Sequence, residues 1–70
     1  MKKKMIIEGM MCMHCSGRVE KALNALEGVT ATVALEEKAA YLTLSADVSD
    51  ELLTKTVTDA GYEVVSVSTL

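Results

Sequence analysis

The chain has 70 residues, half of them apolar, with a net charge of −3 and no proline, phenylalanine or tryptophan. That length supports one domain, residues 1–70, with one thin core, in which roughly 60% of the unfolded surface leaves water. The apolar share excludes disorder, and the lack of a basic stripe or stacking aromatics excludes nucleic acid as a partner.

The amino end, MKKKMII, has the charge of a signal peptide. Glu8 and Gly9 break its apolar run after three residues, so no signal is expected. Lys2, Lys3 and Lys4 read as solvated end charge. Lys3 to Glu8 reads as a strand with Met5 and Ile7 on the core face, ended by Gly9. From Cys15 to Leu26, the apolar positions Cys15, Val19, Ala22, Leu23 and Leu26 have the spacing of one helical face. Arg18, Glu20, Lys21, Asn24 and Glu27 fall mostly on the other face, and Gly28 reads as the carboxyl-end cap.

Val29, Ala31, Val33 and Leu35 then alternate with Thr30, Thr32 and Ala34, which predicts a half-buried strand. Glu36 to Lys38 suits a hairpin turn, and Ala40, Leu42 and Leu44 mark a third strand. Ser49 offers a helix cap, with Asp50 and Glu51 in the first turn. Leu52, Leu53, Val57 and Ala60 predict the apolar face of a second helix, ended by Gly61. Tyr62 to Ser68 reads as the last strand. The order is βαββαβ. One four-stranded antiparallel sheet with both helices on one face buries every stripe, which is the ferredoxin-like α+β arrangement.

The stretch GMMCMHCSGRVEKAL, residues 9–23, holds both cysteines, the only histidine and three of the five methionines. Cys12 falls in the loop after the first strand and Cys15 at or near the first turn of the first helix. The partial positive charge and unpaired N–H groups of a helix amino end favour thiolate there. Four uses of the pair are open. A redox pair is consistent with CxxC opening a helix, but the chain has no proline to set against the pair, as thioredoxin-like enzymes do. A disulfide across two intervening residues restrains little. A structural zinc site needs four ligands, and only one pair is present, with His14 as a third donor. A soft monovalent ion such as Cu(I) accepts two thiolates at low coordination number. Met10, Met11 and Met13 make the surroundings apolar and polarisable.

GMMCMHC resembles the GMxCxxC signature of the heavy-metal-associated domain family, and the likeness extends through SGRVEKAL to AGYEV near the end. The family is ferredoxin-like and includes small bacterial copper chaperones and the amino-terminal domains of metal-transporting P-type ATPases. The resemblance implies Cu(I) binding by Cys12 and Cys15, a buried place for Met10 under the metal loop, and a place for Tyr62 facing the site. His14 is an auxiliary ligand at most, and Met11 and Met13 are apolar cover. No Asp precedes Cys12, as it does in many zinc- and cadmium-transporting relatives, which points to copper. The expected function is that of a cytoplasmic copper chaperone, not an enzyme. Its partner is the metal-binding domain of a copper-transporting P-type ATPase. The apo form is expected to be a monomer, with a metal-bridged dimer open to the loaded form. No stretch is long enough to span a membrane. The alternatives are an excised domain of such an ATPase and, in a different class, a thiol–disulfide oxidoreductase. The opening Met and the lack of a linker favour an independent protein.

Overall fold

The structure is a computed structural model that describes residues 1–10 and 13–70. In chain order the elements are β1 (Lys2–Glu8), α1 (Met13–Asn24), β2 (Val29–Ala34), a 3-10 turn at Leu35–Glu37, β3 (Ala39–Leu44), α2 (Asp50–Asp59) and β4 (Glu63–Thr69). The strands form one antiparallel sheet in the order β2-β3-β1-β4, so β2 and β4 are its edges. This is the expected ferredoxin-like βαββαβ fold.

The alternation in the strands locates the core. Met5 and Ile7 of β1, Ala40, Leu42 and Leu44 of β3, and Val29 and Ala31 of β2 are buried on one face. Val19 and Leu23 of α1 and Leu53 and Val57 of α2 complete the layer and are fully buried. The core is therefore aliphatic, as the composition requires. Ser49 caps α2 by accepting from the Leu52 N–H at 3.2 Å, and Asp50 and Glu51 set negative charge against the helix's positive end.

Several boundaries differ from the sequence expectations. α1 begins at Met13, two residues before Cys15, and ends at Asn24. Leu26 packs half-buried against the core from the following turn, where its N–H bonds the Leu23 carbonyl. Its apolar character extends the helical pattern past the helix itself. Leu35 leaves β2 for the 3-10 turn and still packs on the core. Leu52 is 44% exposed, so the buried stripe of α2 is carried by Leu53 and Val57. Tyr62 precedes β4 and does not belong to it.

Lys3 also departs from its reading as solvated charge. β1 extends back to Lys2, so the alternation that buries Met5 and Ile7 places Lys3 on the same face, where it is buried. Its ammonium is paired with the Asp50 carboxylate at the start of α2. A buried ammonium requires such a partner.

Candidate metal site

Three connections meet at one end of the sheet. β1 runs into Gly9 and Met10. The β2–β3 connection carries the 3-10 turn, closed by Lys38 with its N–H on the Leu35 carbonyl. The third is the turn at Gly61 and Tyr62 between α2 and β4. The Ile7 N–H bonds the Lys38 carbonyl at 2.8 Å, tying the first connection to the second. A surface cavity of about 460 Å³ lined by Glu8, Gly9, Met10, Leu35 and Lys38 lies between them. A second, of about 370 Å³, is bounded by Met13, Ala34, Leu35, Glu36 and Glu37.

Met10 is 5% exposed and belongs to the core cluster. Its side chain packs among the apolar residues of the core. Met13 behaves oppositely and is 82% exposed at the start of α1. His14 is exposed beside it. Cys12 and Met11, the other residues expected in this loop, lie outside the described residues.

Cys15 is the third residue of α1, half-buried, with its side chain against the core cluster. The first turn of α1 contains no acidic residue, so nothing in it offsets the helix's positive end beside the sulfur. Tyr62 faces Cys15 from the other side. Its backbone is held by the Tyr62 N–H on the Val57 carbonyl at 3.3 Å. Its ring lies over Gly9, where a Cβ would stand 3.5 Å from the ring's Cδ1.

The Tyr62 phenol donates toward the Cys15 sulfur. That hydrogen bond, followed by desolvation and the charge on Cys15, pushes the phenol above its ordinary ionisation range. Arg18, one helical turn along from Cys15, acts in the opposite direction. Tyr62 thus sets its hydroxyl beside the Cys15 sulfur, and Arg18 adds a nearby positive charge. Both suit a site that carries net negative charge when two thiolates hold a monovalent ion.

Of the residues singled out in the sequence, the structure brings together Met10, Cys15 and Tyr62 at one end of the sheet. His14 sits at the same end but points to solvent. Among the described residues, no group of three or more His, Cys, Asp or Glu side chains converges on a common point. Also among them, no helix is long and apolar enough to cross a membrane. Sequence reasoning missed the part played by the 3-10 turn in lining this end. The only signal for it was the polar run Glu36 to Lys38, which reads equally well as a plain hairpin.

Comparison with known proteins bears on this end of the molecule. The copper chaperone CopZ of Staphylococcus aureus is 39% identical over 61 residues, covering 84% of this chain and 90% of the relative. A probable copper-importing P-type ATPase A of Enterococcus hirae is 41% identical over 61 residues, which are 86% of this chain and 8% of the ATPase. Among solved structures, a CopZ metallochaperone superposes with a TM-score of 0.87 at 34% identity, covering 93% of this chain and all of its own. The family model for the heavy-metal-associated domain matches residues 4–63. The chain belongs to the heavy-metal-associated domain family.

Proposed function

We propose that this chain is a cytoplasmic copper chaperone, formed by residues 1–70 as one domain. It holds Cu(I) between the thiolates of Cys12 and Cys15 and passes it to the metal-binding domain of a copper-transporting P-type ATPase. The observation that carries the reading is the Tyr62 phenol directed at Cys15 over Gly9, with Met10 buried beneath. A half-buried sulfur with a proton donor beside it, near a helix amino end, supports a soft-metal site there. Soft sulfur donors at low coordination number select a soft monovalent ion over zinc, which prefers four ligands.

Transfer requires no change of oxidation state. An incoming thiol of the acceptor loses its proton to solvent and forms a Cu–S bond. One thiolate of this chain then leaves the copper and takes up a proton. A second exchange completes delivery. The copper is cargo, and no covalent bond of a substrate is broken, so the chain acts as a carrier and not as an enzyme. The likeness to a segment of a P-type ATPase supports a second reading, in which the same site serves as a metal-binding unit of a transporter.

The test is competition on the reduced protein with Cu(I), Zn(II) and Ag(I) together, compared among wild type, Cys12→Ser and Cys15→Ser. Wild type should take Cu(I) and Ag(I) over Zn(II), and each serine variant should lose tight Cu(I) binding with its fold intact. Copper retained by either variant against a strong competitor excludes the two-thiolate site. A disulfide that cycles with a substrate protein, in place of stable Cu(I) binding, would favour the oxidoreductase.

A further inference from the structure

The two edges of the sheet are treated differently. β4 meets β1 with a register irregularity between Ile6 and Ile7 and starts on Glu63, and bulges and edge charges both discourage pairing with another strand. β2, the other edge, is Val-Thr-Ala-Thr-Val-Ala. It has no charge, no proline and no glycine, and it pairs with β3 in unbroken register from Val29 to Ala34. By composition it is the more hazardous edge, a short uncharged strand rich in β-branched residues.

Three of its outward backbone groups are taken by side chains of α1. The Asn24 side chain donates to the Ala31 carbonyl at 3.0 Å and accepts from the Ala31 N–H at 2.8 Å. Glu20, one turn earlier, accepts from the Val33 N–H through Oε2 at 3.3 Å. Asn24 also donates to the Glu20 carbonyl at 2.9 Å, which fixes its amide plane against the strand. Asn24 thereby reproduces, with one side chain, the paired N–H and C=O contacts of a neighbouring strand.

We infer that Asn24 and Glu20 form a side-chain guard on the β2 edge, and that removing it admits a second copy of this chain by antiparallel β2–β2 pairing. Self-pairing of the strand is chemically permitted. Centred on Thr32, Ala31 faces Val33 and Thr30 faces Ala34, so no like charges meet. The guard lies on the carboxyl-terminal half of α1, while Cys15 lies in its first turn. The helix therefore presents the proposed metal end and closes the sheet edge with different residues.

The test uses the full chain in its reduced, metal-free form, so it is independent of copper binding. Sedimentation velocity and amide hydrogen exchange are compared for wild type, Glu20→Ala/Asn24→Ala, and that double variant carrying Thr32→Lys. Thr32 is an exposed edge residue opposite Tyr41 and has no part in the guard, and a lysine there should repel a second edge. Wild type should remain monomeric. The double variant should dimerise with rising concentration, and Thr32→Lys should return it to monomer. In dilute solution its Ala31 and Val33 amides should exchange roughly tenfold faster than wild type, the effect of losing about one net hydrogen bond each. A folded double variant that stays monomeric, or whose association ignores Thr32→Lys, overturns the proposal. If the double variant does not fold, Glu20→Ala alone decides. It should speed exchange at Val33 and leave Ala31 unchanged, and equal protection at Val33 removes the guard.

Discussion

Gly28 and Ala46 approach so closely that a Cβ on Gly28 would stand 2.5 Å from the Ala46 Cβ. They face each other where β2 begins and β3 has just ended, and the Ser45 N–H closes the junction on the Gly28 carbonyl at 2.8 Å. Gly28 also has φ +81, a conformation that side chains disfavour. Gly61 shares the second feature, with φ +100, but has open space where its Cβ would be. The pair separates backbone strain from crowding. Gly61→Ala should lose about 1–3 kcal/mol. Gly28→Ala should lose a further ~1–3 kcal/mol, because Ala46 carries backbone that cannot swing aside as a flexible side chain does. Urea unfolding of the two variants checks the order, and equal losses would remove crowding from the account.

The second helix offers a sharper comparison, because sequence periodicity assigns Leu52 and Leu53 to the same apolar face. Leu53 is fully buried and Leu52 is 44% exposed. Leu53→Ala should cost about 2–5 kcal/mol through lost burial and the cavity left behind. Leu52→Ala should stay within about 0.5 kcal/mol, as surface changes do. Thermal unfolding of both variants is the measurement, and a large loss at Leu52 would mean that its side chain is covered in solution.

What the sequence made legible follows from where period and burial coincide. Met5 and Ile7, Val29 and Ala31, and Leu42 and Leu44 each alternate cleanly because one sheet face is dry and the other wet. A one-residue slip would turn the whole set outward. Helix ends were less legible, because Leu26 and Leu35 remain apolar after leaving their elements and pack on the core from turns. Lys3 was misread because its burial depends on β1 extending to Lys2 and on Asp50, 47 positions away. Asn24 and Glu20 were assigned to the solvent side of α1. Their role depends on β2 being an edge, which is a property of strand order and not of local pattern. At the proposed metal end, the resemblance points to Tyr62, while its contact with Cys15 across α1 and the last turn is visible only in three dimensions.

The Lys3–Asp50 pair predicts an asymmetry between its partners. Lys3 is buried and Asp50 is half exposed, with 53% of its side chain accessible. Removing Asp50 leaves an ammonium in an apolar layer, whereas removing Lys3 leaves a carboxylate that water and the α2 amino end still solvate. Asp50→Ala should therefore destabilise measurably, and Lys3→Met, which keeps the volume, should be neutral or stabilising. Equilibrium unfolding in urea checks both. A Lys3→Met variant weaker than Asp50→Ala would show that the ion pair contributes net stability beyond its burial cost.

Tyr62 predicts a pH effect with a definite sign. Its phenol is held above the ordinary tyrosine value of 10.0, first by the hydrogen bond to Cys15. The folded state thus keeps the proton longer than the unfolded chain. This contribution to stability is fully present below the unfolded value and is lost as pH rises through the folded one. Ultraviolet titration in a Tyr41→Phe background, which leaves one tyrosine, should place the midpoint above 10.0. Cys15→Ala should move it downward. A midpoint unmoved by Cys15→Ala would remove the thiolate as the cause.

His14 and Cys15 are neighbours in the first turn of α1, yet their surroundings differ. Cys15 is half-buried against the core and faces Tyr62, while His14 is exposed. A solvent-facing imidazole must give up hydration and side-chain freedom to reach a metal in the loop, and nitrogen offers a soft ion less than sulfur does. His14→Ala should therefore change the Cu(I) dissociation constant by no more than about tenfold, the equivalent of ~1.4 kcal/mol. Cys15→Ser should abolish tight binding, since it removes one of two sulfur donors. Both follow from Cu(I) competition titrations at fixed pH, run beside sedimentation of the loaded protein. If metal bridges two copies, His14→Ala should weaken that association more than it weakens monomeric binding, because a bridging copper has room for a third donor. A His14→Ala loss as large as that of Cys15→Ser would make the imidazole a ligand in its own right, and the two-thiolate description of the site would have to be abandoned.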